Sequence, residues 1–129
     1  RSPENPLIGV TVDMRDMSDL VPTLAVVAAF AQTSTTITGV GFIRKKESDR
    51  IGDLSAELRK LGVSVDEHPD GLTVHPSKMN AGNVDTHHDH RLAMALALIG
   101  LVTPSVVIND PMVVTKSWPD YWNMLGALQ

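Results

Sequence analysis

Apolar positions along this 129-residue chain follow three distinct patterns. In 20–31 (LVPTLAVVAAFA) and 92–101 (LAMALALIGL) they fall on every face of a helix, and such a helix needs cover on all sides. Each is roughly 18 Å long, and no uninterrupted apolar run reaches the ~18 residues of a membrane span. Both are therefore predicted core helices. Pro22 fits the first turn of its helix, where a missing N–H costs nothing. The segment 49–61 (DRIGDLSAELRKL) instead places Ile51, Leu54, Leu58 and Leu61 on the single stripe of a half-exposed helix. Ser48 is its predicted N-cap and Gly62 the residue that ends it. Period-two alternation in Val63–Glu67 and Leu72–His75, around Pro69-Asp70-Gly71, predicts a β-hairpin. Residues 76–86 (PSKMNAGNVDT) are polar and rich in breakers and read as a loop.

Sliding the sequence by 70 residues superposes two blocks. Asp19 falls on Asp89, Thr33–Thr38 on Thr103–Ile108, Lys46 on Lys116, and Leu54 and Leu58 on Met124 and Leu128. Each block reads as an acidic residue, an apolar helix, a β-branched strand, a loop ending near a lysine and a second helix. The expected architecture is α/β (α+β): buried helices at the centre, with strands and amphipathic helices around them. That inverts the common plan in which the sheet is the most buried layer.

Composition narrows the function. The chain is 43% hydrophobic and 20% charged, as expected of one globular domain. Eleven Lys+Arg against fifteen Asp+Glu give a net charge of −4, which argues against a nucleic-acid binder. The few aromatic residues (Phe30, Phe42, Trp118, Tyr121, Trp122) offer little base stacking. With no cysteine there is no disulfide, thiolate nucleophile or Cys-based zinc site, which fits a reducing compartment. The chain starts at Arg1 without Met, which suggests a piece of a longer protein, and no signal peptide is visible.

Positive charge is grouped rather than spread. Six of the eleven basic residues fall in Arg44–Arg50, Asp89-His90-Arg91 and Lys116-Ser117, each at or before a predicted helix start. Helix N-termini attract anions, so the grouping suggests a site for a small polyanion such as phosphate or carboxylate. Structural explanations stand beside this one. Taken alone, Arg44–Arg50 reads as a solvated cap, the usual role of a charge run before a helix. Arg91 opens a helix that must be buried, and Asp89 could neutralise it as a structural ion pair. Asp19 could be an N-cap or a base. Lys46 and Arg50 flank Glu47 and favour its ionised form. His87, His88 and His90 match no usual zinc spacing, so no metal is expected.

Four ordered blocks carry a family resemblance. Arg44-Lys45-Lys46-Glu47-Ser48-Asp49-Arg50 resembles the R-x-K-E-[ST]-D-R block of the enolpyruvyl transferases of the shikimate pathway. Asp89-His90-Arg91-Leu92-Ala93-Met94 resembles their D-H-R-[MLI]-A-M block, and Asp110-Pro111 with Lys116-Ser117-Trp118-Pro119-Asp120-Tyr121 resembles their D-P…K-[ST]-[FWY]-P-x-[FY] ending. Asp19 stands like the aspartate before the family's buried helix. The resemblance implies a two-domain enzyme built of βαβαββ units, of which this chain would hold about two, 1–76 and 77–129, in its C-terminal part. The N-terminal domain of the same chain would then be missing, and exposed apolar surface could drive self-association. It also implies the reaction: the carboxyvinyl group of phosphoenolpyruvate moves to the 5-hydroxyl of shikimate 3-phosphate through a tetrahedral adduct, releasing phosphate.

By position, Asp19 would accept the hydroxyl proton, with Lys46 beside that hydroxyl, and Glu47 would protonate the methylene carbon. Arg50, Arg91 and Lys116 would hold phosphoenolpyruvate. No cofactor, metal, nucleic acid or membrane is implied, and a cytoplasmic setting is. The alternatives are the related UDP-sugar transferase of cell-wall synthesis and a non-catalytic anion-binding domain.

Overall fold

Two β-α-β units with parallel strands organise the chain in the structure, a computed structural model that describes residues 7–46, 48–101, 103 and 106–109. In the first, β1 (Thr11–Asp13) and β2 (Thr35–Thr38) flank α1 (Val21–Ala28) and pair as Thr11↔Thr36, Val12↔Ile37 and Asp13↔Thr38. After β2 come α2 (Gly52–Lys60) and the hairpin of β3 (Val65–His68) and β4 (Gly71–Val74). The hairpin completes a four-stranded sheet of order β1-β2-β4-β3 through the antiparallel pairing of β4 with β2. In the second unit, β5 (Gly82–Val84) and β6 (Val106–Ile108) pair in parallel around α3 (His90–Ala97). Thr11 to Gly82 and Thr35 to Val106 are each 71 residues apart, close to the offset visible in the sequence.

The two apolar helices pack on one another through small side chains. Val21, Ala25, Val26 and Ala28 of α1 and Leu92, Ala93, Ala95, Leu96 and Ala97 of α3 are buried. Val21, Ala25, Val26, Ala28, Leu92, Ala95 and Leu96 form one continuous core with Ile37, Leu72 and Val74 from the sheet and Leu54 and Leu58 from α2. Cover on all sides does not hold for α1: Val27 is 38% exposed, and Leu20 just before the helix is 50% exposed. The sheet and α3 occupy only part of its circumference. Among the described residues no helix is long and apolar enough to cross a membrane.

The second helix departs from expectation at its start. Ser48 does not cap it. The Asp49 carboxylate accepts from the N–H groups of Ile51 (3.1 Å) and Gly52 (2.8 Å), while Asp53 reaches back to the Asp49 N–H at 3.1 Å. A carboxylate outcompetes a hydroxyl for donors at the positive end of a helix, and the Ser48 hydroxyl is thereby free to donate to Asp89. The helix ends as the sequence predicts. Gly62 has φ of +87°, and the bonds from Val63 N–H to Leu58 C=O and from Gly62 N–H to Arg59 C=O form a Schellman motif.

The hairpin turns at Pro69-Asp70, with His68 facing Gly71. A side chain at Gly71 would run into the Ile37 carbonyl, so glycine is what lets β4 close on β2. Strand β5 lies inside 76–86, the segment expected to be a loop. Gly-Asn-Val is too short and too poor in β-formers to signal a strand. Pairing with β6, 24 residues on, creates it.

Candidate functional site

The segments that lead into α1, α2 and α3 meet at Arg50. Its side chain is 2% exposed. The Nε donates to Asp89 Oδ2 at 2.8 Å and Nη2 to Asp89 Oδ1 at 3.3 Å, both just before α3. Its Nη1 donates to Asp19 Oδ1 at 3.1 Å, just before α1. A planar fork with donors on three nitrogens suits such a junction, because it holds both oxygens of Asp89 while reaching Asp19, a geometry that the compact ammonium of a lysine does not offer.

Asp89 is fully buried and also accepts from the Ser48 hydroxyl at 2.8 Å and from the Arg91 N–H at 2.9 Å. It is thus both the N-cap of α3 and the counter-ion of Arg50. Burial opposes its ionisation. The hydrogen bonds from Arg50 and Ser48, the Arg50 charge and the Arg91 N–H outweigh that penalty and hold its carboxyl below the ordinary aspartate value.

Asp19, its counterpart in the first block, is used differently. It lies in a 3-10 segment, Arg15–Leu20, and α1 begins without any side-chain cap. The Asp19 side chain is 55% exposed and lies between two guanidinium groups, Oδ1 toward Arg50 and Oδ2 3.6 Å from Arg91 Nη2. The N-cap explanation therefore fails for Asp19. The alternative of an Arg91–Asp89 ion pair fails too: Arg91 is partly exposed and gives Asp89 only its backbone N–H, while the buried arginine is Arg50. The Arg91 guanidinium lies toward Asp19 instead, and Asp89 is held by the guanidinium of Arg50 from another segment.

The basic run 44–50 divides by role. Arg44 is structural: it donates to the carbonyls of Pro69 and His68 and pairs with Asp49 at 2.9 Å and Glu67 at 2.8 Å, fastening the run to the hairpin. Lys45 and Lys46 are exposed, and Lys46 Nζ stands 5.7 Å from the centre of the Phe42 ring. Glu47 and Lys116, the other expected site residues, lie outside the described residues. The structure thus brings together Asp19, Arg50 and Arg91, and it places Lys46 on the exposed segment that leads to Arg50.

A second polar cluster went unread in the sequence. Glu57 on α2 is 1% exposed. Its Oε1 accepts from Lys60 Nζ (2.8 Å) and the Asp85 N–H (2.8 Å), and its Oε2 lies 2.7 Å from His87 Nε2. Burial raises the Glu57 pKa, but these bonds and the Lys60 charge bring it below the ordinary value. The sequence carried a signal: Glu57 is three residues from Leu54 and four from Leu61, a charge inside the apolar stripe.

Comparison with known proteins places the chain in a family. A family model described as EPSP synthase (3-phosphoshikimate 1-carboxyvinyltransferase) matches residues 1–125. A protein named 3-phosphoshikimate 1-carboxyvinyltransferase from Methanosphaerula palustris is 50% identical over 121 residues, covering 94% of this chain and 29% of that protein. One of the same name from Nostoc punctiforme is 49% identical, covering 90% of this chain and 27% of its own length. A solved structure of EPSP synthase from Acinetobacter baumannii superposes with a TM-score of 0.79 at 27% identity, covering 95% of this chain and 30% of that one. The enolpyruvyl transferase NikO from Streptomyces tendae shares the fold, with a TM-score of 0.71 at 22% identity over 96% of this chain and 28% of its own. The chain therefore spans somewhat under a third of the length of the relatives it matches.

Proposed function

The chain belongs to the EPSP synthase family, and from that premise we propose that it forms one wall of an active site that transfers the carboxyvinyl group of phosphoenolpyruvate to the 5-hydroxyl of shikimate 3-phosphate. The observation that carries this reading is the junction at Arg50, where the helix-leading segments bring two guanidinium groups to the half-exposed carboxylate of Asp19. Units 1–76 and 77–129 would supply this wall. The opposite wall would come from the portion of the relatives' length that this chain does not match, and the setting would be cytoplasmic.

Both substrates are anions, and fixed cations in a water-poor cleft stabilise charge that moves during reaction. Asp19 takes the proton of the 5-hydroxyl as its oxygen bonds to C2 of phosphoenolpyruvate, with Lys46 beside that hydroxyl. Glu47 delivers a proton to the methylene carbon, which becomes a methyl group in the tetrahedral adduct. A methyl proton then returns to the Glu47 carboxylate as phosphate departs, which restores the double bond on the new ether. Arg50, Arg91 and Lys116 hold the carboxylate and phosphate of phosphoenolpyruvate. Arg50 is buried at 2% exposure and its Nη1 is turned toward the exposed Asp19, so an anion that binds Arg50 must displace that carboxylate from Nη1.

The shikimate substrate is preferred to a UDP-sugar because the relatives from Methanosphaerula palustris and Nostoc punctiforme carry it in their names. The test is phosphate release by the full-length protein. Phosphoenolpyruvate with shikimate 3-phosphate is expected to yield one phosphate per ether formed. Release with a UDP-sugar acceptor, and none with shikimate 3-phosphate, would overturn the proposal.

A further inference from the structure

The residues between β5 and α3 hold an unusual backbone. His87 and His88 have φ of +52° and +57°, a left-handed conformation that L residues with a full side chain adopt at a cost and keep only where their surroundings enforce it. The enforcement comes from both ends. At one end the Asp85 N–H and the His87 ring are bound to Glu57. At the other, Asp89 is bound to Arg50, Ser48 and the start of α3, and its own N–H closes the turn on the Thr86 carbonyl at 2.9 Å. Arg50 and Glu57 are seven residues apart in one segment, about two helical turns, so one face of α2 and its lead-in grips the turn at both ends. A buried glutamate needing only neutralisation would be served by Lys60 alone. Instead Glu57 spends two of its bonds on the turn.

We propose that Glu57 is a positioning residue that clamps the Asp85–Asp89 turn through the Asp85 N–H and the His87 ring, so that Asp89 meets Arg50 and α3 begins where Arg91 faces Asp19. Glu57 touches no substrate. It acts through the turn on the two guanidinium groups assigned to phosphoenolpyruvate, and the inference rests on the proposed function in that respect. His87 is the link that matters. The ring supplies the reach to Glu57, and Lys60, itself bound to Asp85 at 3.2 Å, braces the same corner.

The experiment uses the full-length protein with three variants. Glu57→Gln puts an amide donor among donors. His87→Asn tolerates the left-handed backbone but is too short to reach Glu57, whereas His87→Gln retains that reach. In the first two, KM for phosphoenolpyruvate is expected to rise about tenfold, the scale of one lost hydrogen bond, while KM for shikimate 3-phosphate stays within about twofold. Amide exchange at Asp89–Arg91 should quicken about tenfold in parallel. His87→Gln should restore both readouts. Should Glu57→Gln fail to fold, the two His87 variants decide the matter. An unchanged KM for phosphoenolpyruvate in folded His87→Asn, or an equal rise for both substrates together with a lowered unfolding midpoint, would overturn the clamp. A wild-type protein that turns over neither substrate would instead overturn the proposed function, and exchange at Asp89–Arg91 then judges the clamp without it.

Discussion

Asp89→Ala is expected to destabilise the fold by about 3–5 kcal/mol, because removing one partner of a buried ion pair leaves the other charge uncompensated. Arg50 is 2% exposed and Asp89 0%, so water cannot replace the lost carboxylate. The same substitution removes the N-cap of α3 and the acceptor of the Ser48 hydroxyl. Asp19 still reaches Arg50 from the other side, which places the effect toward the lower end of the range. Asp19→Ala is the control. Asp19 is 55% exposed, and the loss of a solvated partner is worth less than about 1 kcal/mol. Acid unfolding gives a second reading of the same residue. The folded pKa of Asp89 lies below its ordinary value of 3.8, so its contribution is complete above that value and is lost as pH falls below it. Asp89→Ala should therefore lower the whole stability curve and flatten its acid limb. Urea unfolding from pH 7 to pH 2 measures both, and a loss under about 1 kcal/mol at pH 7 would show that Arg50 does not depend on Asp89.

In the full-length enzyme, Asp19→Asn and Glu47→Gln are each expected to lower turnover by about 10²–10⁴, the usual contribution of a positioned proton acceptor or donor. Neither amide can carry the proton, yet both keep the size of the side chain. Affinity for phosphoenolpyruvate should change little in Glu47→Gln. In Asp19→Asn it should hold or tighten, because the carboxylate that competes for Arg50 Nη1 is gone while the bonds to Asp89 do not involve position 19. The assignment of Glu47 comes from its place in the K-E-S-D-R run, whereas Asp19 is supported by its exposed position between Arg50 and Arg91. Single-turnover and binding measurements separate the two effects. Wild-type turnover in either variant would remove that residue from proton transfer.

What the sequence disclosed was long-range pattern. The apolar helices, the hairpin and the offset between Asp19 and Asp89 were legible because each repeats a simple period or charge position over many residues. The meeting of Asp19, Arg50 and Arg91 was anticipated through the family's motifs rather than through burial, and the burial argument chose the wrong arginine. Arg91 looked buried because it opens an apolar helix. Arg50 is the buried one, although it precedes a helix of mixed character, because two helix-leading carboxylates converge on it from elsewhere in the chain. Strand β5 was illegible because three residues carry no period, and its partner, not its composition, makes it a strand. Ser48 was read as a cap by residue type, but two acceptors, Ser48 and Asp49, competed for one helix start, and the carboxylate won. Glu57 was the avoidable omission, since a charge within an apolar stripe must find donors somewhere.

Titrating phosphoenolpyruvate into the full-length protein while following the Nε–H resonances of its arginines tests most directly whether the guanidinium groups at this junction form an anion site. Arg50 and Arg91 are predicted to shift together along one saturable curve, weakened as salt is raised, while Arg44 and Arg59, held at the hairpin, stay in place. Saturable shifts at Arg44 or Arg59 with Arg50 and Arg91 unmoved would contradict the account.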